Sequence, residues 1–456
     1  MSVRLDVERR RHGTKFRLFP QPYFLEPYSE PETVWVSSPA GTVGPGPSDD
    51  RMYVIDPLGK ALPYGSQRGP RGSSYIYLPP WDGQVGPPAM PNRFGHFDHL
   101  EPGTPEFEAA HLFGAVRWVL DIWEDYFGTR IPWHFREEYE RLEMVVLSQW
   151  DNAQVGFGFL EVGSEVSERV GTFPFALSFD TLAHETGHAI IYAMVGLPTL
   201  ETEEGEYFGF QESAADLVAL LSSLHFERVV DHLLTSTSGN LYTFNELNRF
   251  AELSETKQIR IASNDLKMSD FAAGWADEHI LAQPLTGAMF DIFVDVFQEN
   301  LLERGLIDPE VEALSDQIEK HPDYADLIQS RFDAAYEGNH SGFKEALLDA
   351  RDYLGNALAE TWGRLSPHFL NYDDVGRVLL EVDRQLTGGR YQQVILTNFR
   401  WREIGDVAVG PRLAKPDEAS HSFSDRTLQP DQGPVQGRLS YAARRRIARN
   451  GRRPAQ

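Results

Sequence analysis

Two histidines with a glutamate between them, in His184-Glu185-Thr186-Gly187-His188, constrain this 456-residue chain more than anything else in it. Residues four apart lie one turn above each other on a helix, so a helix here brings the two imidazoles together. Ser178-Phe179-Asp180-Thr181-Leu182-Ala183 leads into the segment and Ala189-Ile190-Ile191 leaves it. On that helix His184 and His188 converge on one ion, while Glu185 stands beside any water bound there. This is the H-E-x-x-H arrangement with which zinc hydrolases hold their metal.

Catalytic zinc usually takes three protein ligands and leaves a fourth position to water. A third ligand is offered downstream by Gly209-Phe210-Gln211-Glu212-Ser213-Ala214-Ala215-Asp216, which runs into the apolar stretch Leu217-Val218-Ala219-Leu220-Leu221. Glu212 and Asp216 are again four apart and share one helix face. Read alone, two such acids describe a solvated helix face. Beside the histidine pair, Glu212 completes a His/His/Glu set, and Asp216 can accept the second ring N–H of a ligating histidine.

At this point the chain resembles the thermolysin-like and fungalysin-like metalloproteases, whose third ligand is a glutamate. The likeness runs in order through Glu106-Phe107-Glu108-Ala109-Ala110-His111, opening a long helix that ends near Tyr126-Phe127-Gly128, and through Asp151-Asn152-Ala153-Gln154-Val155-Gly156-Phe157-Gly158. It continues through Asp180 to His188, through Glu212 with Asp216, and through Tyr372-Asp373-Asp374-Val375 to Gly405, so it covers roughly residues 100–405. The resemblance implies an α+β, zincin-like two-lobed fold, with a β-containing N-terminal lobe and a mainly helical C-terminal lobe. The H-E-x-x-H helix would then lie at the cleft. It implies one Zn²⁺ on His184, His188 and Glu212, Glu185 as general base, and a peptide aligned on an edge strand at Asn152 and Ala153. A histidine that stabilises the oxyanion is also implied. The best match is His279 in Gly274-Trp275-Ala276-Asp277-Glu278-His279, which otherwise reads as a surface histidine at a helix start.

The pattern departs from that family in several places. The glycine expected just behind the oxyanion histidine comes later, at Gly287, and Tyr207 precedes Glu212 by fewer residues than the family's tyrosine does. Thr181 stands where valine is common in the specificity pocket. The implied reaction is zinc-dependent hydrolysis of peptide bonds. Its rivals are a zinc-stabilised pseudo-protease that only binds a partner, and a zinc hydrolase of a non-peptide amide. Among the other histidines, His96 and His99 beside Asp98 read as loop residues or a second metal cluster, and His111 faces the cleft or packs. By the same resemblance Asp180 could ligate calcium, but Leu217 to Leu224 is apolar and lacks the acids a hard cation wants, so no structural calcium is expected.

Composition bounds the partners. A formal charge of −26 argues against nucleic acid as a partner, because phosphate contacts need a basic surface. With no cysteine, disulfides, thiolate zinc ligands and thiol catalysis are excluded. The charged start, Met1 to Arg11, lacks an apolar run, and no apolar stretch reaches membrane-spanning length. The expectation is therefore a cytoplasmic protein without a membrane partner, acting on a peptide or protein, with non-classical export as the other route.

Four regions are expected. Residues 1–100 are rich in Pro and Gly, with short strand-like runs at Thr33-Val34-Trp35-Val36 and Ser74-Tyr75-Ile76-Tyr77-Leu78, and read as an appended β element. Residues 101–200 carry the catalytic N-lobe, and 201–410 the helical C-lobe with the third ligand. Within that lobe Asp291 to Phe297 fits helix or strand by periodicity, and its neighbours favour helix. Residues 411–456 read as a disordered tail whose end, Arg438 to Arg453, holds seven arginines and no acid. That end is also suited to docking on an acidic partner.

Overall fold

The computed structural model describes residues 2–68, 74–147, 150–167, 171–241, 264–315, 321 and 324–413. They fall into two compact units, one up to Met194 and one from Val195 onward. The fold is α+β, with the strands in the first unit and helices dominating the second. Beyond Leu413, the expected tail lies outside the described residues.

The first unit opens with α1 (Ser2–His12), then β1 (Gly13–Leu18) paired antiparallel to β2 (Glu32–Pro39). Next come β3 (Met52–Ile55), the hairpin of β4 (Gly65–Arg68) and β5 (Ser74–Tyr77), and the long helix α2 (Pro105–Phe127). The sequence explains the limits of α2. Thr104 caps it by accepting the Phe107 N–H at 3.2 Å, Pro105 sits where no N–H is needed, and Gly128 ends it with a left-handed φ of 66°. Its apolar stripe, from Phe107 through Val116, Val119 and Leu120 to Trp123, is buried against β1, β2, β3 and α3 (Phe179–Met194).

A four-stranded sheet lies beside it, in the order β3, β6 (Leu142–Val146), β8 (Phe159–Val162), β7 (Ala153–Val155). The first three strands run parallel and β7 returns antiparallel along β8. A turn at Gly156–Gly158 makes this return. Gly158 has φ +89°, and a Cβ there would stand 2.7 Å from the Tyr139 ring, so only glycine fits. A second hairpin, β9 (Ser164–Ser167) with β10 (Gly171–Pro174), follows before α3.

Residues 1–100 are built into this unit and form no compact unit of their own. β3 pairs with β6 across some ninety residues of sequence, Tyr53 facing Glu143. Two buried carboxylates fasten the rest. Glu161 accepts from Lys60 Nζ at 2.6 Å, and Glu143 accepts the hydroxyls of Tyr64 at 2.7 Å and Tyr53 at 2.8 Å. Burying a charge is tolerable only with partners of this kind.

The second unit contains α4 (Gly205–Ser223), α5 (Glu227–Thr237), α6 (Glu278–Glu303), α7 (Pro309–Ser315), α8 (Tyr324–Tyr336), α9 (His340–Trp362), α10 (Tyr372–Thr387) and α11 (Gln392–Trp401). The centre is α6, buried along most of its length and in contact with α4, α9 and α11. It is the one described helix long and apolar enough to cross a membrane, and its apolar stretch is buried inside the unit. Asp291 to Phe297 is helical, as its neighbours suggest. Asp291 holds the fully buried Arg402 at 2.9 Å, tying the end of α11 to the central helix.

Candidate metal centre

In the first unit, α3 carries the histidine pair. Its first turn is set by Ser178, whose hydroxyl donates to buried Asp180 at 2.9 Å and lies 2.7 Å from the Thr181 hydroxyl. Burial pushes the Asp180 carboxyl upward. Thr186, a residue that competes with helical backbone, satisfies its hydroxyl on the Leu182 carbonyl at 2.6 Å. The helix places Nε2 of His184 and Nε2 of His188 3.2 Å apart, with ring planes at 89°.

Across such a gap two imidazole nitrogens share either a proton, as an N–H···N hydrogen bond, or a cation. Zinc–nitrogen bonds of about 2.05 Å at a tetrahedral angle put two nitrogens roughly 3.3 Å apart. The 3.2 Å separation is compatible with a shared zinc ion as well as with a hydrogen bond. Glu185 is buried on the same helix. β7 packs alongside α3, so Asn152 and Ala153 belong to the same unit as the histidines. The Asn152 side chain accepts the Ala153 N–H at 2.9 Å, and β7 is the outer strand of its sheet.

In the second unit, Glu212 and Asp216 lie on α4, one turn apart, and Asp216 is buried. Beside Glu212 stands His279, near the start of α6, with its Nε2 3.3 Å from Glu212 Oε2. The other ring nitrogen, Nδ1, is 3.3 Å from Asp277 Oδ1. Asp277 is also the N-cap of α6 and accepts the backbone N–H of His279 at 2.9 Å. Its hydrogen bond with the His279 ring holds the Asp277 carboxyl down at about 2, against the opposing effect of burial.

Asp277 has no place in the sequence reading. Its signal was an acid two residues before the histidine, just where the helix begins. Conversely, Tyr207 is a buried residue of α4, donating to the Gly196 carbonyl at 2.8 Å and accepting from Gln211 at 2.8 Å. It is a core aromatic and takes its place in the packing.

Three other histidines, His111, His96 and His134, have structural duties. His111 is fully buried on α2 and accepts the Phe19 N–H at 2.9 Å, and burial lowers it to about 4. His96 accepts the Lys15 N–H at 3.3 Å through Nδ1. His134 packs between Tyr192 and Phe157, and burial lowers it to about 4.

Comparison with known proteins adds no assignment: no protein-family model matches the chain, and no curated protein matches it.

Proposed function

We propose that this chain is a zinc-dependent peptide hydrolase of the zincin type, with His184, His188 and Glu212 as metal ligands. The observation that carries the reading is the 3.2 Å approach of the two histidine Nε2 atoms on α3. The E-x-x-x-D spacing of Glu212 and Asp216 supports the third ligand and its outer partner. When bound, zinc would acidify a water and polarise the scissile carbonyl.

The chain's own residues do the rest. Glu185 takes a proton from the attacking water and delivers it to the leaving nitrogen. His279, with Nδ1 oriented by Asp277 and Nε2 beside the proposed ligand Glu212, would donate from Nε2 to the negative charge that develops on the carbonyl oxygen. An extended peptide adds to β7 through main-chain hydrogen bonds at Asn152 and Ala153.

The test is metal analysis together with digestion of a broad peptide library, with and without a chelator. About one zinc per chain and chelator-sensitive cleavage are expected. Zinc without any cleavage would move the reading to a zinc-stabilised binding protein.

A further inference from the structure

Two loops of the second unit display large apolar side chains to solvent. Leu197 and Leu200 precede α4 and are 53% and 94% exposed, and Phe369 precedes α10 and is 55% exposed. The loops are fastened to each other. Phe369 N–H donates to the Thr202 carbonyl at 2.8 Å, and the Thr202 hydroxyl lies 2.7 Å from His368 Nδ1. Phe369 is held at φ 58°, a conformation that is costly for an aromatic residue and persists only where surrounding contacts impose it.

The rim of this apolar surface is acidic. Glu201, Glu203 and Glu204 are exposed, and Glu204, Asp373 and Asp374 act together, after burial, to raise Glu206. Between Val195 and Gly209 there is no Lys, Arg or His, and Arg377 is committed to Asp374 at 2.8 Å. The complementary chemistry is cationic with interleaved apolar residues.

This chain contains such a segment. Arg438-Leu439-Ser440-Tyr441-Ala442-Ala443-Arg444-Arg445-Arg446-Ile447-Ala448-Arg449-Asn450-Gly451-Arg452-Arg453 has seven arginines, no acid, and Leu439, Tyr441 and Ile447 among them. The last described residues leave from the neighbourhood of the same surface. Leu413 N–H donates to the Trp275 carbonyl at 2.7 Å, and Arg412 lies over the rings of Trp275 and Phe208. The Trp275 ring in turn closes against Gly205, the first residue of α4, where a Cβ would meet it at 2.6 Å.

We propose that residues 438–453 dock on the surface formed by Leu197, Leu200 and Phe369 with Glu201, Glu203 and Glu204. None of these residues is a proposed metal ligand, so the docking stands or falls apart from the zinc reading.

The absence of native cysteine makes the test direct. In the full chain, Ser440→Cys is combined either with Ser366→Cys, beside Phe369, or with Ser330→Cys on α8 as the control. Intrachain cross-linking by a short bis-maleimide should be roughly tenfold faster at 366 than at 330, the gain of a held separation over a tether alone. The advantage should vanish in about 1 M salt, where screening reaches about 3 Å. It should vanish likewise in Glu201→Gln/Glu203→Gln/Glu204→Gln and in Leu200→Asp. Equal rates at the two positions, a cross-link that joins two chains, or a rate unaffected by salt and by all these substitutions would overturn the proposal.

Discussion

Asp277 does two things with one carboxylate, capping α6 and holding the His279 ring, and a conservative change can separate them. Asparagine is an equally good N-cap, so Asp277→Asn should leave the melting temperature within roughly 2 °C. Losing the charge on the ring should lower kcat roughly tenfold or more, the size of a hydrogen bond to a charged group. Thermal melts beside peptide-cleavage kinetics check both halves; equal kcat values would reduce Asp277 to a cap. Another residue-scale consequence follows from His111. Its value is about 4 when folded against 6.5 as a free side chain, so the unfolded chain takes up the proton first. Stability should therefore fall as pH drops below about 6.5 and level off under about 4, by up to about 3 kcal/mol from this group. His134 acts in the same direction. Urea unfolding at pH 7 and pH 5 should show a smaller loss for His111→Gln, whose side-chain oxygen can still accept the Phe19 N–H. An identical loss would remove His111 from the explanation.

At the scale of elements, α2 is where packing stabilises the first unit most visibly. Trp123 is fully buried on its inner face, and Trp123→Ala should cost about 3–5 kcal/mol. Chemical denaturation measures this; a loss under about 1 kcal/mol would mean that the helix can collapse over the gap. This helix, α3 and α4 were legible because their signals are local: an apolar stripe ending near Gly128, and ligand-type residues spaced by one turn. The integration of residues 1–100 was not legible. β3 finds its partner β6 some ninety residues away, and Lys60 finds Glu161 a hundred residues on. A pattern of short strands between prolines says nothing about such pairings. Asp277 escaped for a related reason: an acid before a helix reads as a cap, and its second contact shows only once the His279 ring is placed.

For the whole molecule, the central expectation concerns metal. A ligand bound only by the folded chain stabilises it, so chelation should lower the melting temperature, and added Zn²⁺ should restore it. An unchanged melting curve in a zinc-containing preparation would place the ion outside the folded structure. The most direct measurement is zinc content and peptide cleavage in parallel, for the unsubstituted chain and for His184→Ala, His188→Ala, Glu212→Ala and Glu185→Gln. About one zinc per chain is expected, lost in the first three variants. In Glu185→Gln the zinc should remain while turnover falls at least roughly 10²–10⁴-fold, the worth of general-base help. Zinc retained in full by all three ligand variants, or cleavage undiminished in Glu185→Gln, would contradict the zinc-peptidase reading.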